Sequence, residues 1–478
     1  MDERKTPYPA FGYRTTAPIM AAAIILLVAA GLRIWGAQNG LWLDEIWSLG
    51  LVGQVSSVTD IFFKIHQDNN HYLNTLFLYL LGNRGDWPGY RTLSVVAGIG
   101  TVALAGVIGK EKGKAGALIA MILTGFSYVL VLYSSEARGY STLVFFSLLS
   151  YRSMRRYLEN PRWRIALEFS LSASLGFLSH LTFLGLFLSL FLWSACVMAG
   201  KPGGLKRLIP SLALPFGLPS AVLTVLYLGD VKSMQIGGGT RQGLWHCYES
   251  AEAWALGMPP MTAAGFAVMM IFFGLAIQML WRQDRELILL FASGIAGVPL
   301  SLAWWNRSEF LYVRYFIIPI ALSLVLLASY LASLWRQPGY AGKVVTSLIL
   351  ALYLAANGTH LIALYQFGRG DDREALRYMT DMSGGPEVTI GGDIDLRIGM
   401  VLVFYSSLGV ERRPIRYFTQ YDWPAQGPEW FVTEKESTED PVSPANVEVA
   451  GHQYKLVRVF PSAPLSGLHW FVYHREES

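Results

Sequence analysis

Leu41-Trp42-Leu43-Asp44-Glu45-Ile46-Trp47-Ser48-Leu49 directly follows an apolar run from Ala17 to Gly36. The run is long enough to cross most of a bilayer, which predicts that Asp44 and Glu45 lie at a membrane surface among aromatic side chains. A charge beside lipid costs free energy, so an acidic pair at this place indicates catalysis or binding. The alternative is a solvated loop that begins with interfacial tryptophans.

The composition of the chain is that of a membrane protein. Of its 478 residues, 53% are hydrophobic and only 15% are charged, whereas soluble proteins average about 25% charged residues. A spanning helix needs about 20 mostly apolar residues, and such stretches recur through the first three quarters of the chain. We predict an all-α polytopic membrane protein with about eleven transmembrane helices, at residues 17–37, 91–109, 115–133, 140–154, 165–183, 184–199, 208–228, 261–281, 286–304, 311–335 and 344–365. Residues 165–199 form either two short helices or one long kinked helix.

The positions of lysine and arginine predict the orientation of these helices. One alternate set of connections carries eighteen such residues and the opposite set carries six. Because the basic connections remain in the cytoplasm, the N-terminus is expected to be cytoplasmic and Asp44 to face the outside. With eleven spans, the C-terminus is also expected outside.

Two parts of the chain outside the spans show further structure. In the first outer loop, Val55–Ile65 and Tyr72–Leu81 carry apolar residues at helical spacing, which predicts two interfacial helices. The composition changes after Leu364, where the pattern predicts helices at 371–382 and 395–408 and strands at 387–390, 430–433, 454–460 and 469–474. We therefore predict a transmembrane domain, 1–366, and a small extracytoplasmic α/β domain, 367–478.

Polar residues on the predicted outer side fall into four clusters that are expected to line one outward-facing cavity. They are Asp44 with Glu45, residues 66–72, residues 134–140, and residues 306–309 with Arg314 and Tyr315. Arg138 is of the type that binds phosphate in a bidentate manner; the alternative is a local ion pair with Glu136. Arg314 lies at a span end, where the alternative is snorkelling to the interface.

His66, Asp68 and His71 are candidate metal ligands, because three such residues within six positions can bind zinc. The alternative is that they are hydrogen-bonding loop residues. We favour the alternative and predict no metal and no cofactor.

Three stretches carry a resemblance to a known family: LWLDE (41–45), YSSEARGYS (133–141) and RYFIIP (314–319). They resemble motifs of the GT-C superfamily of membrane glycosyltransferases, which use polyprenyl-phosphate-linked sugars. Within it, the chain looks most like the bacterial branch related to protein O-mannosyltransferases and to the aminoarabinose transferase of lipid A. The resemblance covers about residues 17–365 and, weakly, the C-terminal domain. Where relatives have Asp-x-His-Pro-Pro, this chain has Asp68-Asn69-Asn70-His71-Tyr72, which leaves the sugar and the acceptor open.

The resemblance implies an inverting glycosyltransferase at the outer face of a bacterial cytoplasmic (inner) membrane. A hexosyl or pentosyl group would move from a polyprenyl-monophosphate donor to a hydroxyl of a glycolipid, a cell-envelope glycan or a protein. Asp44 would be the catalytic base, and Glu45 would orient the acceptor or tune Asp44. The residues expected to bind the donor phosphate or the substrates are Glu136, Arg138, Tyr140, Arg307, Arg314, Asp68 and His71. Lipid bilayer is an expected partner and nucleic acid is not.

A transporter or flippase of lipid-linked sugars is the alternative function. Such a protein needs polar or ionisable residues near the middle of the membrane, in broken helices. Here the residues in the middle of the spans are apolar apart from His180 and Glu168, and the polar clusters lie at the outer ends. This distribution favours an enzyme. A membrane scaffold is a third possibility, which leaves the placement of Asp44 and Glu45 unexplained.

Overall fold

A computed structural model describes residues 13–83, 86–201, 204–237, 242–258, 263–306, 310–409 and 413–476. Arg307, one of the predicted binding residues, lies outside these ranges. The helices before the C-terminal domain are α1 (Tyr13–Gly36), α2 (Leu43–Val52), α3 (Val58–Phe63), α4 (Tyr72–Leu81), α5 (Trp87–Gly109), α6 (Gly113–Phe126), α7 (Tyr128–Tyr133), α8 (Tyr140–Glu159), α9 (Trp163–Ser179), α10 (Phe183–Ala199), α11 (Gly204–Gly229), α12 (Leu244–Ala255), α13 (Ala263–Gln283), α14 (Glu286–Ala292), α15 (Val298–Asn306), α16 (Ile317–Trp335) and α17 (Ala341–Phe367).

The helices lie over all eleven predicted spans. In the described residues, seven helical stretches are long and apolar enough to cross a membrane, which confirms a polytopic helical protein; the count of eleven stays a prediction. The predicted span 115–133 is interrupted at Ser127, whose backbone is extended. Residues 165–199 form two helices with a break at His180. A π-helical turn, Ser293–Gly297, separates α14 from α15.

The segment between α1 and α5, which is the first predicted outer loop, contains three helices. Two of them, α3 and α4, occupy the segments in which interfacial helices are predicted, and their position in a membrane interface stays a prediction. The third, α2, was not predicted. Trp42 caps it, and Asp44 and Glu45 lie in its first turn, where the helix dipole stabilises carboxylates. The alternative of a solvated loop is wrong, because both acidic side chains are buried.

The C-terminal domain is a six-stranded sheet with two helices, α18 (Asp372–Met382) and α19 (Asp395–Ser407). Its strands are β1 (Val388–Gly392), β2 (Ile415–Phe418), β3 (Trp430–Glu436), β4 (Asn446–Val449), β5 (His452–Phe460) and β6 (Leu468–Arg475). Their order is β2-β1-β3-β6-β5-β4. β1 is parallel to both neighbours, and the remaining pairs are antiparallel. Both predicted helices and the four predicted strands are confirmed, whereas β2 and β4 were missed.

Ion pairs join loops that the count of lysine and arginine places on the same side of the membrane. Arg155, at the end of α8, contacts Glu111 at 2.8 Å and Asp284 at 3.2 Å. At the other ends of the helices, Arg138 contacts Asp44. The connections that these ion pairs join therefore fall into two groups at opposite ends of the helices, as predicted. The alternation of all the spans, and the side that faces the cytoplasm, stay predictions.

Candidate active site

A cavity of about 570 Å³ lies between the loops at one end of the helical bundle and the C-terminal domain. The bundle contributes α2, the loop before α4, the turn between α7 and α8, and the segment before α16. The C-terminal domain contributes α19 and the segments that follow β3 and precede β6. Three of the four predicted polar clusters therefore meet at one cavity, and the fourth is represented there by Arg314 and Tyr315.

Asp44 lies in the wall of this cavity between two arginines. Arg138 Nη1 donates to Asp44 Oδ2 at 2.5 Å, and Arg314 Nη2 lies 3.3 Å from the same oxygen. The other oxygen, Oδ1, has no hydrogen bond to any residue that the structure describes. One carboxylate and two guanidinium groups leave an excess of positive charge, which suits an anionic ligand. The free oxygen of Asp44 is able to accept a proton from a ligand.

Asn69 joins Asp44 and Arg138 from the loop before α4. Its Nδ2 donates to the backbone oxygen of Asp44 at 2.9 Å and to Ser48 Oγ at 3.1 Å. Its Oδ1 accepts from Arg138 Nη2 at 2.7 Å. We did not predict Asn69, whose only signal in the sequence is its place in the polar cluster 66–72.

Aromatic rings hold the two guanidinium groups. Arg138 lies over Tyr140, 5.0 Å from the ring centroid, and Arg314 lies over Tyr312 at 4.1 Å. Trp42 faces both arginines at 5.8 Å. Such cation–π contacts restrict side-chain rotation and stabilise desolvated cations. The rings thus keep both positive charges in the cavity wall.

His71 and Asp68 add two more polar groups to the wall. The backbone N–H of Gly139 donates to His71 Nδ1 at 2.7 Å, so the hydrogen of the neutral ring lies on Nε2. Burial lowers the pKa of His71 well below its ordinary value, and the charge of Arg138 lowers it further. Burial raises the pKa of Asp68. His71 Nε2 and Asp68 Oδ1 are buried without a hydrogen-bond partner in the described structure.

A second cavity of about 620 Å³ adjoins the first and is lined mostly by apolar side chains of α10, α15 and α16. The two cavities share lining residues, which are Asp68, His71, His180, Ile236, Phe310 and Tyr315. A polar chamber at one end of the helices therefore continues into an apolar groove between helices.

Glu45 and Glu136 do not line either cavity. Arg91 donates to both oxygens of Glu45, at 2.7 and 2.5 Å. Arg369 Nη1 donates to Glu136 Oε1 at 2.5 Å. The alternative of a local ion pair between Glu136 and Arg138 is therefore wrong. Of the predicted site residues within the described ranges, the structure brings six to the cavity: Asp44, Asp68, His71, Arg138, Tyr140 and Arg314.

No protein-family profile and no curated protein sequence matches the chain, but solved structures do. ArnT from Cupriavidus metallidurans in the apo state is 13% identical with a TM-score of 0.51, over 87% of this chain and 92% of that chain. ArnT from the same organism bound to undecaprenyl phosphate is 12% identical with a TM-score of 0.51, over 96% and 98%. The chain has the ArnT fold. The sugar-donor complex of the protein O-mannosyltransferase Pmt1–Pmt2 from S. cerevisiae is 18% identical over 50% of this chain and only 36% of that chain, with a TM-score of 0.38.

The ArnT fold confirms the prediction of a mostly helical chain with a small C-terminal domain. The structure of this chain does not bring the three candidate metal ligands, His66, Asp68 and His71, together. His66 Nδ1 lies 2.8 Å from Asp230 Oδ1, whereas Asp68 and His71 line the cavity. Within the described ranges, no three His, Cys, Asp or Glu side chains are grouped closely enough to hold a metal ion.

Sequence reasoning missed the arginines that bind the two buried glutamates. Arg91 stands at the beginning of a predicted span, and Arg369 follows the last one. An arginine at the edge of an apolar segment is a signal for a buried ion pair as much as for snorkelling. Nothing in the local pattern identifies its partner.

Proposed function

We propose that this protein is an inverting glycosyltransferase that moves a sugar from a polyprenyl-monophosphate donor to an acceptor hydroxyl, with Asp44 as general base. The observation that carries the proposal is the position of Asp44, held by Arg138 and Arg314 beside the junction of a polar cavity and an apolar groove. A lipid-linked sugar needs both environments, because its chain is apolar and its phosphate and sugar are polar. ArnT, whose fold this chain shares, is bound to undecaprenyl phosphate in one of its structures.

The donor fits the two cavities in one orientation. The prenyl chain lies in the apolar groove, where it stays out of water as it does in the bilayer. The sugar lies in the polar cavity near Asp44. The phosphate then lies at the junction, within reach of the guanidinium groups of Arg138 and Arg314.

The proposed reaction is a single displacement. The acceptor hydroxyl gives its proton to Asp44 Oδ1 while its oxygen attacks the anomeric carbon from the face opposite the phosphate. The bond between that carbon and the phosphate oxygen breaks, and its electron pair leaves with the phosphate. The configuration at the anomeric carbon is inverted. Arg138 and Arg314 stabilise the negative charge that develops on the leaving phosphate.

Donor binding also changes the surroundings of the base. Both guanidinium groups face Asp44 Oδ2, and a phosphate placed between the arginines competes for the same N–H groups. The two arginines therefore bind the donor and Asp44 at the same place in the cavity wall.

The proposed location is the outer face of a bacterial cytoplasmic membrane. The basic connections then lie in the cytoplasm, and the cavity and the C-terminal domain lie in the periplasm or outside the cell. The acceptor is a glycolipid, a cell-envelope glycan or a protein that reaches the polar cavity from that side.

Mass spectrometry of envelope glycolipids and glycans tests the proposal. A deletion strain receives the wild type, Asp44→Asn, or the control Asp381→Asn, which changes an exposed carboxylate at the end of α18. We expect one species to lose a fixed hexose or pentose mass in the deletion strain and with Asp44→Asn, and to regain it with the wild type and the control. Restoration by Asp44→Asn would refute the base assignment and favour the flippase alternative.

A further inference from the structure

The C-terminal domain reaches the turn that carries Arg138. Arg369, just after the end of α17, is completely buried. Its Nη1 donates to Glu136 Oε1 at 2.5 Å, and its Nη2 donates to the backbone oxygen of Leu132 at 2.7 Å and to Ser135 Oγ at 3.2 Å. Glu136 stands two residues before Arg138. The start of the domain therefore holds the turn between α7 and α8.

The same domain also reaches the segment that carries Asp44. Tyr405, on α19, is buried and donates its hydroxyl to the backbone oxygen of Leu41 at 2.6 Å. Leu41 precedes the cap of α2, whose first turn contains Asp44. On the other side of this segment, Arg91 Nη2 donates to the backbone oxygen of Gly40 at 2.7 Å. The segment is thus held between a helix of the bundle and a helix of the C-terminal domain.

A shared apolar core supports both contacts. Ile46 and Ala137, which are chain neighbours of Glu45 and Arg138, are buried in the same cluster as core residues of the C-terminal domain. Those residues include Leu376, Ile390, Val432 and Trp470. Because protein cores are packed at high density, a displacement of the domain is transmitted to α2 and to the α7–α8 turn.

We propose that the C-terminal domain sets the position of Asp44 relative to Arg138, with Arg369 and Tyr405 as positioning residues. The proposal rests on the proposed function, in which these two site residues act together. Asp44 and Arg138 are 94 residues apart in the chain, and the domain makes buried polar contacts to the segment of each through one side chain, Tyr405 or Arg369. Neither Arg369 nor Tyr405 lines the cavity, so each acts through the backbone that it holds.

Tyr405→Phe tests this directly, because it removes one hydroxyl and keeps the ring. The matched control is Tyr454→Phe, which removes a buried hydroxyl that donates to the backbone oxygen of Pro428 at 3.0 Å within the C-terminal domain. The full-length protein is purified and supplied with envelopes of the deletion strain, which contain donor and acceptor. The initial transfer rate at saturating envelope, the Tm and the affinity for undecaprenyl phosphate are measured for each variant.

We expect Tyr405→Phe and Tyr454→Phe to have the same Tm as each other. We expect their affinities for undecaprenyl phosphate to agree within about twofold. The transfer rate of Tyr405→Phe is expected to fall by about tenfold to a hundredfold, since a misplacement of about 1 Å at a reacting group costs roughly a hundredfold. The rate of Tyr454→Phe stays within about twofold of the wild type. A purely structural role of Tyr405 would lower the Tm and the rate together.

Arg369 provides the second variant pair. Arg369→Lys keeps the charge opposite Glu136 and is expected to retain more of the rate and of the Tm than Arg369→Gln, which leaves Glu136 as a buried charge without a counter-ion. Wild-type rates in Tyr405→Phe and Arg369→Lys, with Asp44→Asn inactive, would overturn the positioning proposal alone. Activity in Asp44→Asn would instead overturn the proposed function on which it rests.

Discussion

Arg91 and Glu45 form an ion pair in which both side chains are completely buried. Arg91 Nε and Nη2 donate to the two oxygens of Glu45 at 2.7 and 2.5 Å, and the backbone N–H of Ala137 donates to Glu45 Oε1 at 2.7 Å. Burial of two charges is tolerated only with such complete hydrogen bonding. Glu45 therefore joins α2, α5 and the turn after α7, while its neighbour Asp44 faces the cavity.

Glu45→Gln is expected to destabilise the protein, because it leaves Arg91 as a buried charge without a counter-ion. The loss of one partner of a buried pair costs about 3–5 kcal/mol, and the measurement is the Tm in detergent. The control is Glu374→Gln, whose pair with Arg377 is 3.8 Å long and half-exposed and contributes about 0–1 kcal/mol. An unchanged Tm with complete loss of transfer would instead make Glu45 a catalytic residue.

Arg314→Gln is expected to weaken the binding of undecaprenyl phosphate. A hydrogen bond to a charged group contributes about 1.5–3 kcal/mol, which corresponds to about tenfold to a hundredfold in Kd. The measurement is a titration of the purified protein with undecaprenyl phosphate, followed by native mass spectrometry. The control Arg416→Gln removes an exposed arginine of β2. Equal affinities in the two variants would remove Arg314 from the phosphate site.

Asp44 and Glu45 are adjacent in the chain, but Asp44 lines the cavity and Glu45 forms a buried ion pair. The sequence alone does not separate these two roles. Polar residues beside apolar spans are visible in the sequence, and they led to Asp44, Arg138 and Arg314. Glu45 has the same local signal as Asp44, but its partner Arg91 lies 46 residues away. The division between a cavity residue and a structural one depends on such distant partners, which a local pattern does not contain.

The break between α6 and α7 has a similar cause. The apolar pattern runs through Ser127 without interruption. At the break, the backbone N–H of Tyr128 has no partner within the helix and donates instead to Asn357 Oδ1 at 2.7 Å. Asn357 lies on α17, 229 positions away in the chain. The missed strands β2 and β4 are four-residue edges of the sheet, which is the shortest length at which alternation indicates a strand.

The neutral state of His71 predicts a pH dependence of stability. Its pKa in the folded protein lies well below the ordinary value, which is about 6.5 in an unfolded chain. The unfolded chain therefore takes up a proton that the folded protein does not, and stability falls as the pH drops below about 6.5. His71→Gln removes this titration, so we expect its Tm to fall less than that of the wild type between pH 7.5 and 5. A wild-type dependence in His71→Gln would contradict the assignment.

Asp230 is expected to hold the loop that carries Asp68 and His71. It is completely buried at the end of α11, accepts from the Tyr72 hydroxyl at 2.6 Å, and pairs with His66 at 2.8 Å. In a double-mutant cycle on protein stability, Asp230→Asn and Tyr72→Phe should be non-additive by about 0.5–3 kcal/mol, because the first removes the charge and the second the donor of the same buried contact. The cycle of Asp230→Asn with Tyr454→Phe, whose hydroxyl lies in the C-terminal domain, should be additive within about 0.5 kcal/mol. Additivity in both cycles would show that the Tyr72 hydroxyl does not anchor the loop through Asp230.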